Sequence, residues 1–196
     1  MTVSLRERRR QQTARDIQMT ALRLSAEKGL ENVTTEEISA AAGISTRTFF
    51  NYYTNKEAAA IGTPPPFAEE DLQALCDGTG PLSADLKRFL DKHFEHLAHD
   101  EPILRMIGAV LRSNEKARGI LEGFLQSERA TLTECLSGRV DNRETAAALA
   151  SSVLSTIGRA IYLWEHEEDM ALTTALDHVW HGLITASHLL SLPEGQ

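Results

Sequence analysis

One arginine set among hydroxyls carries the clearest chemistry in this chain. Arg47 stands in the run Ser45-Thr46-Arg47-Thr48. A guanidinium presented on a short helix can bond guanine O6 and N7 together, which discriminates bases by roughly 1–3 kcal/mol. Thr46 and Thr48 flank it and can meet a thymine methyl or a phosphate. Ser45, Asn51, Tyr52 and Lys56 are placed for contacts to the sugar-phosphate backbone, which fix register and carry little sequence information. This is the chemistry of reading DNA, not of turnover. The sequence holds no Gly-rich phosphate loop, Glu-x-x-His metal pair or nucleophile elbow.

The elements that must position these residues lie in the stretch from Thr34 to Tyr53. Thr35 is a suitable N-cap, and Ile38, Ala41 and Ala42 give a first short helix a small apolar face. Gly43 supplies the positive φ of a tight turn, and Ser45 or Thr46 can cap a second helix. Two helices joined this way put the N-terminus of the second against base edges. A preceding helix is expected over 13–28, with Ile17, Ala21 and Leu24 at helical spacing and Gly29 as its stop. Phe49 and Tyr53 are expected in the core.

Charge supports the same reading. The chain of 196 residues carries a net −8, which by itself argues against a nucleic-acid partner. The distribution is uneven, however. The first 15 residues hold five arginines and one glutamate, a basic footprint where phosphate would be met. The acidic remainder would repel DNA and favour one docking orientation. No apolar run approaches the roughly 18 residues of a membrane span, and the Arg-rich start has no apolar segment after it, so a signal peptide is not expected. Cys76 and Cys135 form no CxxC and read as separate, ordinary thiols, for which a reducing cytoplasm is the simplest setting.

The stretch from Ile17 to Glu57 resembles the DNA-binding domain of tetracycline-repressor (TetR) family regulators. The matching pieces are Ile17 with Ala21, Leu22 and Leu24, then Gly29-Leu30, Thr34-Thr35, Ile38 and Ala42-Gly43-Ile44-Ser45. Arg47-Thr48-Phe49-Phe50-Asn51-Tyr52-Tyr53 and Lys56-Glu57 complete the set. The resemblance implies phosphate contact by Thr35, a homodimer, a palindromic operator, and a small-molecule effector held inside a C-terminal helical domain. Two positions depart from the common family pattern. Many members have a small residue or glycine in place of Arg47. Many have tyrosine in place of Phe50 and histidine in place of Tyr52.

The rest of the chain reads as all-α. A flexible basic arm is expected over 1–12, the DNA-binding domain over 13–62, a linker with a short helix over 63–81, and a helical ligand-binding and dimerisation domain over 82–196. The break is Gly62-Thr63-Pro64-Pro65-Pro66, which stops a helix firmly. His93 and Glu128 fall on otherwise apolar stripes, where a polar group costs free energy unless paired. With Phe89, Phe94, Met106, Phe124 and Trp164 they are candidates to line an effector cavity; the alternative is ordinary core with an internal hydrogen bond. Two wide apolar rows mark the last two helices. Leu154, Ile157 and Ile161 on one, with Leu176, Val179, Trp180 and Leu183 on the other, are candidates for a four-helix dimer interface. A fully buried monomer core is the alternative. His93, His96 and His99 rotate by about 120° over two steps of a helix, so they do not converge on a metal, and no cofactor or membrane partner is expected. A DNA-bound scaffold without an effector is the runner-up function; a helical-bundle enzyme is the third.

Overall fold

The computed structural model describes residues 4–191. Among these there are ten α-helices, one 3-10 turn and no strand, so the all-α expectation holds. Residues 1–3 of the expected arm, and 192–196 of the expected C-terminal domain, lie outside the described residues.

The chain divides into two compact units. The first comprises residues up to Pro65 together with Asp100–Phe124; the second comprises Pro66–His99 and residues from Leu125 onward. In the first unit, α1 (Leu5–Lys28) is followed by the 3-10 turn Leu30–Asn32, α2 (Thr35–Ala41), α3 (Thr46–Phe50) and α4 (Lys56–Ile61). Their core is built on Ile17, Leu22, Ile38 and Phe49, each 0–1% exposed. Gly43 turns the chain between α2 and α3 at φ +68°, a conformation that any Cβ would strain. The cap of α2 is Thr34, not Thr35. Its hydroxyl accepts from Glu37 N–H while the Glu37 carboxylate accepts from Thr34 N–H, a complete capping box.

Two corrections concern the domain limits. Residues 5–12, expected as a flexible arm, are the first two turns of α1. Leu, Arg, Glu and Gln are good helix formers, Ser4 Oγ caps the start by accepting from Glu7 N–H, and the anchored remainder of the helix removes the nucleation cost. Second, α7 (Glu101–Ser113) and the first part of α8 (Glu115–Ser137) belong to the first unit, although the sequence reading gave them to the C-terminal domain. Ile103, Val110 and Ala117 complete the same core as Ile17 and Phe49. A head of about 60 residues buries a limited share of its surface alone, and this apolar helix face supplies the missing cover. Arg15 and Asp100 form a two-pronged ion pair that pins α1 to the entry of α7. Lys116 Nζ reaches the buried Glu57 carboxylate of α4 at 3.0 Å.

The second unit holds α5 (Glu69–Cys76), α6 (Leu82–Ala98), the remainder of α8, α9 (Arg143–His166) and α10 (Leu172–Leu190). Leu90, Phe94, Leu132, Leu136, Trp164 and Leu176 are fully buried. α9 is the one helix among the described residues long and apolar enough to pass for a membrane span, with mean hydropathy 1.4 over 18 residues, although Ser151, Ser152, Ser155 and Arg159 interrupt it. Its apolar arc is explained by its place among α6 and α10, where Ala150, Val153, Ala160 and Trp164 are buried. α6 opens on Pro81 with no side-chain cap.

Cys76 and Cys135 are joined by a disulfide across a sequence separation of 59. Their reading as separate thiols is therefore corrected. Beside it, the buried Arg139 side chain donates to Leu75 O, Gly80 O (3.1 Å) and Asp85 Oδ2 (2.9 Å). Hydrogen bonding from Arg139 is the main reason the Asp85 carboxyl sits below the usual carboxylate range.

Candidate nucleic-acid interface

Arg47 is exposed at the start of α3, and among the described residues its side chain has no hydrogen-bond or ion-pair partner, so the guanidinium is available to a base edge. Ser45 is the cap of α3: Thr48 N–H donates to its Oγ at 3.0 Å, and the two hydroxyls lie 2.8 Å apart. Ser45 and Thr48 are thereby oriented by each other. Thr46 is half-buried beside them. Asn51 caps the far end of α3 and is exposed, while Tyr52 is half-buried. These six residues share one short helix and its two ends.

Two expected phosphate contacts are already engaged. Lys56 Nζ donates to Glu31 O (2.9 Å) and Val33 O (2.8 Å), which ties α4 to the loop before α2. Thr35 Oγ1 donates to Glu36 Oε2 at 3.1 Å. A phosphate at either place would have to displace or share these bonds. Phe50, in contrast, is 53% exposed on the recognition helix and packs edge-on against Phe49. An exposed aromatic at this place suits apolar contact with a thymine methyl or a sugar. The sequence signal for it was its place one residue after Phe49, which turns it away from the core.

A trough of about 630 Å³ runs between the start of α1 and α3, with Arg6, Arg9, Arg10 and Thr13 on one wall and Thr48, Asn51 and Tyr52 on the other. Two bonds fix the angle between the walls. Tyr53 Oη donates to Ala14 O at 3.1 Å, and Gln18 Nε2 donates to Ile61 O at 2.9 Å. Residues 5–12 are exposed throughout. Of the four arginines there, Arg6 and Arg8 stand in the first turn, where the helix dipole disfavours a cation by about 0.3–1 kcal/mol at low salt.

In the second unit, Phe67 gathers three of the seven cavity candidates. Its ring lies 4.8 Å from Phe89 and 4.9 Å from His93, centre to centre. Its backbone N–H donates to the Glu128 carboxylate, an effect outweighed by burial, which pushes that group up. Burial pulls His93 down to about 4, assisted by His96. Phe94 and Trp164 are fully buried core. Met106 packs on the core of the first unit, and Phe124 is the last residue of that unit. The sequence reading missed Phe67, which stands directly after three prolines that hide it in an apparent linker.

On α9 and α10, Leu154 and Ile157 are buried and Leu176 is fully buried. Ile161, Val179, Trp180 and Leu183 remain partly exposed, Tyr162 is 49% exposed, and Leu189 and Leu190 are more than 80% exposed.

Residues 17–59 match the model for bacterial regulatory proteins of the tetR family. Residues 17–59 are thus a tetR-family DNA-binding domain. The fold of the chain matches that of solved TetR-family proteins over nearly its full length. One is a TetR-family regulator from Syntrophomonas wolfei, with a TM-score of 0.70, 18% identity, and 93% of this chain and 98% of that one covered. The transcriptional regulator FadR of Bacillus subtilis, solved in complex with stearoyl-CoA, gives 0.55 and 24% over 87% and 97%. NalD of Pseudomonas aeruginosa, a repressor of a multidrug efflux pump, gives 0.58 and 17% over 91% and 96%. No curated protein sequence matches the chain. The matched domain and the fold are those found in transcriptional regulators.

Arg47→Ala is expected to relax specificity at one base pair by about 10- to 100-fold while leaving the others unchanged. A panel of single-base operator variants checks this. Undiminished discrimination at every position would remove Arg47 from base readout.

Proposed function

We propose that this protein is a homodimeric TetR-family repressor that reads a palindromic operator through α3 and is released by a small molecule bound in the second unit. The observation that carries it is the oriented recognition helix, with Arg47 unpaired at its exposed start and Ser45, Thr48 and Asn51 around it. Dimerisation is supported by the apolar surface left on α9 and α10, from Ile161 and Tyr162 to Leu183 and Leu190. A two-fold pair of such faces makes a four-helix interface. The cytoplasm is the expected setting.

For the effector, the cluster of Phe67, Phe89, His93 and Glu128 is the favoured seat: aromatic walls with two half-buried polar groups. Its chemistry is that of a lipophilic neutral or cationic compound. The second unit carries 7 Lys/Arg against 17 Asp/Glu, and its more buried cations are taken: Lys87 by Asp91 and Asp177, Arg139 by Asp85. A polyanion such as the CoA group held by the Bacillus subtilis neighbour would find little free positive charge. The runner-up is a dimeric regulator without an effector, favoured by the way Phe67 already fills the space between Phe89 and His93.

Selection of DNA from a random pool by the purified protein tests the central reading. The expected product is an inverted repeat with half-sites about one helical turn or more apart, bound by a dimer and released by a lipophilic cation but not by stearoyl-CoA. A monomer on an asymmetric site sinks the dimer; indifference to every lipophile supports the runner-up.

A further inference from the structure

The first two turns of α1 pose a physical question. Residues 5–12 bury nothing, yet they are helical. Arg6 and Arg8 stand in the first turn, where the helix dipole opposes them, Arg9 and Arg10 follow directly, and among the described residues none of the four is ion-paired. A local choice that opposes stability without a compensating internal contact marks a functional surface. Three of the four, Arg6, Arg9 and Arg10, line the trough whose other wall is Thr48, Asn51 and Tyr52 of the recognition helix. Arg8 does not line it.

We propose that this trough seats one strand of the DNA backbone flanking the bases that α3 reads, clamped between the arginines of α1 and the polar end of α3. The proposal rests on the DNA-binding reading and deepens it: α1 supplies sequence-independent affinity, and α3 supplies discrimination. Charge complementarity names the occupant, because three guanidiniums in one trough suit a run of phosphates. The bonds from Tyr53 to Ala14 O and from Gln18 to Ile61 O hold the two walls at one angle, so the clamp is preformed and loses little freedom on binding. Glu7 is the one anion in the trough and opposes the phosphate there. The operator footprint therefore extends outward past the bases read by α3.

The test uses the full-length protein and a random-sequence duplex of about 30 base pairs, with affinity followed from about 0.05 to 0.3 M salt. Replacing Arg6, Arg9 and Arg10 together by alanine is expected to flatten the slope of log K against log salt by about 2–3. Affinity at 0.15 M salt then falls by about 100-fold. Arg8→Ala leaves the slope nearly unchanged, the triple lysine variant keeps it, and Glu7→Gln tightens binding. Alanine is a better helix former than arginine, and far-UV circular dichroism confirms that the variants fold. A triple alanine variant with the wild-type slope overturns the clamp, as does an Arg8→Ala loss equal to that of Arg9→Ala. If the wild type binds no duplex at low salt, the DNA-binding reading falls and takes the clamp with it.

Discussion

Reducing the Cys76–Cys135 bond is expected to lower the melting temperature of the protein by roughly 10 °C at fixed concentration. The bond closes a loop with a sequence separation of 59. Chain entropy for a loop of that length corresponds to about 4 kcal/mol, and a domain of this size shifts by about 2–4 °C per kcal/mol. The bond matters locally too. α5 has a single buried residue, Leu75, so the disulfide and the bonds from Arg139 to Leu75 O and Gly80 O are what hold its end. Scanning calorimetry with and without dithiothreitol measures the effect, and Cys76→Ser should melt where the reduced protein does. Equal melting of oxidised and reduced samples, with two thiols titrating in the untreated protein, would show that the pair is not joined in solution. In a reducing compartment the same pair runs open, so the stability conferred on α5 depends on redox poise.

The second large effect is on pH. His93 titrates near 4 in the folded chain because burial penalises its cation, against about 6.5 when unfolded. The unfolded state therefore binds more protons below pH 6.5. The contribution of neutral His93 is complete above that value and is lost as pH falls toward 4. Between pH 7.5 and 4.5 the loss is about 2.5 kcal/mol. Urea unfolding at both pH values, in the wild type and in His93→Leu, isolates it from the carboxylates. The variant should lose that much less than the wild type on acidification. Parallel losses in the two proteins would place His93 in water.

The head was readable in the sequence because its signals are local. Gly43, the Ser45 cap, the apolar Ile38 and the spacing of Ile17 with Ala21 each act within a few residues. What was not readable depends on pairing across distance. Nothing in Cys76 or Cys135 alone reveals the other. The apolar face of α7 can be recognised from Ile103 and Val110, yet periodicity does not say which surface it covers. It covers the head. Phe67 was masked by the prolines before it. The start of α1 was misread because an arginine run resembles a disordered arm in composition, while its helix propensity is good. Thr35 and Lys56 show the same limit at the level of atoms: the residue types suited phosphate, but Glu36, Glu31 O and Val33 O had claimed their donors.

That α7 completes the head has a consequence for synthesis. The core needs Ile17 to Ile61 and also Ile103, Val110 and Ala117, with the α5–α6 segment of the other unit emerging between them. On a ribosome adding about 5–20 residues per second, the recognition helix is made several seconds before the surface that finishes its support. The nascent head therefore waits, incompletely covered, while part of the second unit leaves the tunnel. The residue at which a transplantable DNA-reading module ends is thus not Ile61 but lies beyond Ala117.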